Sequence, residues 1–129
     1  MLKAYRKENR KIALGLMSFI PEWKNDYERL NHELDWATSG NRQVMLWENP
    51  FTNQLTGIII FEQGEHYILV RHLSFSPSDR SGRNVYDVFN DLHQQFSDCR
   101  LMGTLAIQPL ISNWEKGLYY QRQQVKAKE

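Results

Sequence analysis

The order of sequence patterns predicts an α/β protein whose mixed, mostly antiparallel sheet is flanked by helices. Three observations carry that expectation. Apolar segments 42–47, 55–61 and 66–75 succeed one another across short polar turns and read as an antiparallel meander. Val85, Val88, Phe89, Leu92 and Phe96 then recur on one face of a 3.6-residue period, which is a helix. A further apolar stretch, 101–107, follows that helix and is expected to lie parallel to the strand before it through a right-handed crossover. Two hairpins and one crossover give a mixed sheet, not an all-parallel one.

Each element has its own justification. Residues 2–5 are expected to form a short first strand. Residues 10–20 read as a helix, with Ile12, Ala13, Leu16, Met17 and Ile20 on one face, Asn9 as its cap and Gly15 marking close packing. Pro21 ends that helix or opens the next, which Trp23, Tyr27, Leu30 and Leu34 trace to about Trp36. Residues 39–41 (SGN) form a turn. Residues 55–61, with isoleucines at 58, 59 and 60, form the central strand. In the stretch 66–97, a strand runs through a turn-rich loop, 76–84, onto a helix that Asn84 caps and whose positive end Asp87 favours. After the strand 101–107, interrupted by Gly103 and ended by Pro109, Ser112 and Glu115 have capping-box spacing for a last helix. Trp114, Leu118 and Tyr119 or Tyr120 would pack it, and 121–129 is polar and expected to fray.

The chain has 129 residues, which predicts one domain across 1–129. A net charge of +1 and dispersed basic residues speak against a nucleic-acid partner. The apolar run 12–20 is too short to span a membrane and lacks a small-residue cleavage pattern, so the expectation is a cytoplasmic protein with no membrane partner. One cysteine, Cys99, excludes an internal disulfide, fits a reducing compartment and is read as structural. His32, His66, His72 and His93 have no metal-ligand spacing, so no metal site is expected.

A strand that passes through an amide-rich turn onto a helix N-terminus is a sound place to hold a phosphate. Arg80 in that turn is either a phosphate partner through its planar fork or a solvated loop arginine. His72 is the titratable group on the central part of its strand whose ordinary pKa lies near neutrality. It reads either as a general base or as a satisfied core histidine. Strict alternation would put it on one face with Val70 and Ser74. Glu48 and Glu62 at strand ends are weaker candidates, and His32, Glu33, Asp35 and Trp36 sit together on the second helix.

The element order, with Pro77, Arg80, Gly82, Arg83 and Val85 in the turn, resembles the Gcn5-related N-acetyltransferase superfamily. Pro77 and Arg80 fit the family signature in type and spacing. Arg83 and Val85 stand where small residues are usual, and Gly82 is one place out of phase. Segments 11–21 (KIALGLMSFIP) and 71–80 (RHLSFSPSDR), with Trp47, resemble more narrowly the acetyltransferase-like proteins encoded with riboflavin biosynthesis genes in Firmicutes. Asn113, Tyr119, Tyr120 and Arg122 match the family's C-terminal pattern in spacing. Nine residues follow Tyr120, so the last strand or two of the family fold is expected to be missing.

The resemblance implies acetyl-coenzyme A as cofactor, none of it tightly bound, and an N-acetyltransferase activity on a small-molecule or protein amine. The implied cofactor-binding residues are Leu73, Phe75, Arg80, Ser81, Gly82, Arg83, Asn84 and Val85. The implied catalytic residues are Tyr120, protonating the departing sulfur, with Tyr119 its competitor, and His72, taking the amine proton directly or through water. An amide near Phe75 would polarise the thioester carbonyl. Arg83 would either crowd the pyrophosphate or turn outward. The two bulky residues of the turn and the shortened C-terminus also allow a non-catalytic accessory protein on the same fold. Such a protein would bind a riboflavin-pathway partner or another small ligand, and the exposed edge left by a missing final strand could pair across a homodimer.

Overall fold

The computed structural model describes residues 1–128; within the last helix, the side chains of residues 119, 120 and 122–128 lie outside the described set. One five-stranded sheet is ordered β1 (Leu2–Ala4), β2 (Arg42–Glu48), β3 (Leu55–Gln63), β4 (Tyr67–Phe75) and β5 (Arg100–Gly103). The first four strands are antiparallel neighbours, and β5 joins β4 in parallel. This is the mixed, mostly antiparallel α/β arrangement the sequence predicts, with the isoleucine-rich strand at its centre.

Two helices cover one face of the sheet. They are α1 (Arg10–Met17) and α2 (Tyr27–Ala37), which bury Ala13, Leu16, Met17, Leu30 and Leu34 against Val44, Leu46, Ile58 and Ile60. The other face carries α3 (Gly82–Gln95) and α4 (Gln108–Lys128). Val88, Phe89, Leu92, Ile111 and Trp114 there meet Ile59, Phe61, Ile68 and Val70. The consecutive isoleucines thus feed both layers alternately, as a period of two requires. Residues such as Phe61, Phe89 and Leu34 are sealed from water, each contributing roughly 2–3 kcal/mol of transfer free energy.

Several sequence expectations are corrected. α1 stops at Met17, and its buried set includes Leu14 while Ile12 is exposed. Asn9 makes no side-chain cap, and a Cβ on Gly15 would meet nothing within 4 Å, so that glycine marks no close packing. Trp23 belongs to a separate 3₁₀ turn, Pro21–Trp23, and Tyr27 is exposed; Asp26 caps α2 by accepting from the Arg29 amide at 3.0 Å. β5 ends at Gly103, because its amide donates to Gln108 Oε1 at 2.8 Å and a turn onto α4 follows. Pro109 therefore lies in the first turn of α4, where its missing N–H costs nothing. Ser112 and Glu115 lie inside that helix, and no capping box forms; the Ser112 hydroxyl accepts from Gln108 Nε2 at 3.0 Å. The expected frayed tail is assigned as helix through Lys128.

Candidate active site

The site is built by an interruption of β4. Opposite Ile60 and Phe61 of β3 stand His72 and Val70, so Arg71 is an extra residue, a β-bulge. The bulge reverses the side-chain phase. Val70, Leu73 and Phe75 join the α3–α4 layer, while His72 and Ser74 face α1 and α2. The expected shared face of Val70, His72 and Ser74 is thereby corrected: Val70 lies opposite the other two. Arg71 leaves the sheet to pair with Glu62 at 2.9 Å and to lie over the Trp36 ring, 4.9 Å from its centroid.

Pairing with β5 ends at the same place. Registered pairs run from Tyr67–Arg100 to Val70–Gly103, and beyond them the chain turns away through Thr104–Ile107. Residues 71–75 of β4 keep β3 on one side and, among the described residues, have no strand on the other. A cleft of about 780 Å³ opens there. Its floor is Arg71–Phe75, one end is Arg80 and Val85, and its lips are Phe19–Glu22 and Thr104–Ile107 with Leu110.

His72 lies on the floor, its ring 4.4 Å from that of Trp23. Burial lowers its pKa; Glu33 and Glu22 pull it up and Arg71 pushes it down, with burial the dominant influence. The imidazole is therefore neutral at pH 7 and able to accept a proton. Ser74 Oγ donates to the Leu16 carbonyl at 2.9 Å, fixing this half of the strand against α1.

At the end of the cleft, α3 starts three residues earlier than the hydrophobic stripe indicates. Its cap is Ser81, whose hydroxyl accepts from the Asn84 amide at 3.1 Å, and Asn84 is not the cap. Asn84 instead donates through Nδ2 to the Asp79 carbonyl at 2.7 Å. Asp79 in turn accepts from Asn49 Nδ2 at 2.9 Å, which holds its carboxyl below the ordinary range. The early start puts Asp87 in the second turn, where it accepts from Trp47 Nε1 at 2.9 Å and does not serve the helix terminus as expected. The amides of Gly82 and Arg83, the first of the helix, have no acceptor among the described residues.

Of the residues singled out by sequence, His72, Leu73, Phe75, Arg80 and Val85 meet in the cleft. Arg83 and Asn84 line a separate hollow with Phe51 and Tyr86, so the Arg83 side chain is not among the groups that fill the cleft. Ser81 and Gly82 line neither, and a Cβ on Gly82 would find open space. The side chains of Tyr119 and Tyr120 lie outside the described residues. Sequence reasoning missed Phe19, Glu22, Leu105 and Leu110. Their signal was faint: Phe19 and Leu110 are apolar residues beside Pro21 and Pro109 and off the helical stripes, Leu105 was read as part of a strand, and Glu22 carried no signal.

A five-stranded mixed sheet whose parallel pair splays beside a helix N-terminus defines a class, the acetyltransferases that this geometry resembles. No protein-family model matches the chain. Over 98 residues it is 31% identical to an uncharacterized N-acetyltransferase from the lysA 3′ region of Bacillus methanolicus, covering 72% of this chain and 79% of that protein. The chain belongs to the Gcn5-related N-acetyltransferase family. Among solved structures, it is similar to the aminoglycoside 6′-N-acetyltransferase of Enterococcus faecium (TM-score 0.58, 14% identity, 75% of this chain and 55% of that one). An aminoglycoside 6′-N-acetyltransferase complexed with coenzyme A gives a TM-score of 0.59 at 16% identity, with the same coverages. The ribosomal-protein-alanine N-acetyltransferase of Brucella melitensis biovar Abortus 2308 gives 0.59 at 14% identity, covering 90% of this chain and 88% of that one. The chain spans little more than half the length of the two aminoglycoside enzymes, and at these identities the likeness is one of fold.

Proposed function

We propose that this chain is a single acyltransferase domain that moves an acetyl group from acetyl-coenzyme A to an amine. One observation carries the reading: β4 loses its neighbour at Arg71, and the cleft so opened ends at Arg80 and Val85, which flank the start of α3, where the amides of Gly82 and Arg83 have no acceptor among the described residues. The residues present fit the cofactor. The Gly82 and Arg83 amides offer directed donors to a diphosphate, and the helix terminus adds favourable potential. Open space at Gly82 allows close approach. Arg80, which also donates to the Phe75 carbonyl at 3.3 Å, supplies positive charge at that end. Ser81 fixes the turn by capping, and Asn84 fixes it by bonding Asp79. Leu73, Phe75 and Val85 form the apolar wall between.

Acetyl-coenzyme A supplies the activated acyl group as a thioester. The chain's own part is to bind, orient and move protons. Neutral His72 takes the amine proton, directly or through water, and an amide near Phe75 polarises the reacting carbonyl. We assign sulfur protonation to Tyr120 on the family's C-terminal pattern. Titration calorimetry with acetyl-coenzyme A tests the reading. Saturable heat, abolished when Gly82 is replaced by proline together with Arg80→Glu, is expected. No heat and no thermal stabilisation at millimolar cofactor would end it.

The narrower likeness to proteins encoded with riboflavin biosynthesis genes supports a cytoplasmic role beside that pathway. Co-purification from a cell expressing those genes tests it: a riboflavin-pathway enzyme in the eluate is expected, and its absence counts against the link.

A further inference from the structure

The lining of the cleft also speaks to the acceptor, on the condition that the transferase reading above holds. The cleft is bounded by two apolar lips from different parts of the chain, the first of which reaches the Arg80 end, where that guanidinium lies 6.0 Å from the centroid of the Phe19 ring. Phe19 is 41% exposed on one, and Leu105 and Leu110 are 97% and 37% exposed on the other. Large apolar side chains left in water around one concavity mark a surface built to be covered by a ligand. The charges are few. Among the described lining residues Glu22 is the one carboxylate, and it makes no ion pair with any described residue. Of the two guanidiniums, Arg71 is already held by Glu62 and Arg80 sits at the phosphate end. The field of Glu22 reaches His72, whose protonation it favours.

We propose that the acceptor is a primary amine with a single positive charge and an apolar body, such as an arylalkylamine. A polycation does not fit this lining. The lips hold the body, Glu22 receives the ammonium, and His72 stands next to it. One ammonium proton passes to His72 and on to solvent. The freed lone pair forms the N–C bond to the acetyl carbon. The C–S bond breaks with its electrons on sulfur, a second amine proton ends on that sulfur, and the third stays on the amide. A polycation would bring several charges to one free carboxylate and two guanidiniums, where like charges repel and apolar lips leave its polar groups unsatisfied.

The experiment pairs turnover with binding. Free coenzyme A release is followed with acetyl-coenzyme A and phenethylamine, spermidine or kanamycin, with a leucine-initiated tetrapeptide amide as a further arm. Phenethylamine binding to the protein is measured separately by calorimetry. Phenethylamine should exceed spermidine and kanamycin about tenfold or more in kcat/KM, since an aromatic body buried between the lips contributes at least that factor. Faster turnover of the tetrapeptide than of phenethylamine would keep the same chemistry and assign its source to peptide N-termini. Glu22→Gln should weaken phenethylamine binding roughly two- to fivefold, as loss of one exposed charge partner does, and leave acetyl-coenzyme A binding unchanged. Leu105→Ser, at a position too exposed to affect folding, should weaken it by a factor of about three. Preference for kanamycin or spermidine, or unchanged phenethylamine binding in both variants, overturns the inference. Acetyl-coenzyme A binding with turnover of none of these amines overturns it too, while leaving the transferase reading standing. Absence of acetyl-coenzyme A binding removes both.

Discussion

The two halves of β4 lie in one strand and do opposite things. From Tyr67 to Val70 the strand is paired on both edges, and its inward residues Ile68 and Val70 are wholly buried. From Arg71 to Phe75 it is paired on one edge only, and its residues floor an open cleft. The divider is a single extra residue. The first half spends its backbone groups on the sheet; the second keeps an edge and a neutral histidine available for chemistry. The candidate site thus arises from where the sheet stops closing, more than from any one side chain.

Removing Arg71 is the most direct test of that contrast. With the extra residue gone, Val70 still stands opposite Phe61 and His72 opposite Ile60, so His72 and Ser74 keep facing α1 and α2 while Leu73 and Phe75 keep facing α3 and α4; what is lost is the bulge itself and the Arg71–Glu62 pair. We expect the protein to fold, at a cost of about 1–3 kcal/mol read by urea denaturation and circular dichroism. His72→Gln keeps the fold and should lower kcat roughly 10²- to 10⁴-fold, the usual worth of a positioned base. It also carries a pH signature. Because the folded pKa of His72 is depressed, the unfolded chain binds the proton more readily. His72 therefore destabilises the protein as pH falls below the ordinary imidazole value towards the lower folded one. Urea titrations across that window should show a shallower acid loss in His72→Gln than in the parent.

Gly103→Ala attacks the closed half. A Cβ there would sit 2.8 Å from the Gln108 amide nitrogen and 3.1 Å from Ile107, and backbone cannot step aside as a side chain can. A cost of about 2–3 kcal/mol is expected, with a lower Tm. Ser74→Ala on the open half removes one of two donors to the Leu16 carbonyl, the Phe19 amide at 3.3 Å remaining, and should cost about 1 kcal/mol by the same assay. Arg83→Gly should change least. Its side chain lines the outer hollow, so acetyl-coenzyme A affinity by calorimetry should stay within about twofold, the few tenths of a kcal/mol typical of surface changes. A larger gain in affinity would mean that Arg83 does crowd the diphosphate.

The sheet was legible because its strands obey a period of two and its helices a period of 3.6, and both signals are local. Strand β3 and the stripe Val88, Phe89 and Leu92 are in the structure as the sequence has them. The bulge was not legible. Nothing in the residues around Arg71 distinguishes an alternating strand from one with an extra residue, since register is set by β3 across the gap. The start of α3 was misplaced for a related reason: Gly82, Arg83 and Asn84 carry no apolar stripe, and Ser81 competes with Asn84 as a cap of equal quality. Five of the candidate site residues converge because all lie on or beside one strand and its following turn. Phe19, Glu22, Leu105 and Leu110 came from distant segments, and only tertiary packing brings them to the same cleft.

The stacking of Trp23 on His72 makes the protein its own indicator. An imidazolium beside an indole drains its excited state, whereas a neutral imidazole does so far less. The ultraviolet emission of Trp23 should therefore dim in step with protonation of that histidine and respond to whatever enters the groove beside it, so occupancy can be followed by light with no label attached.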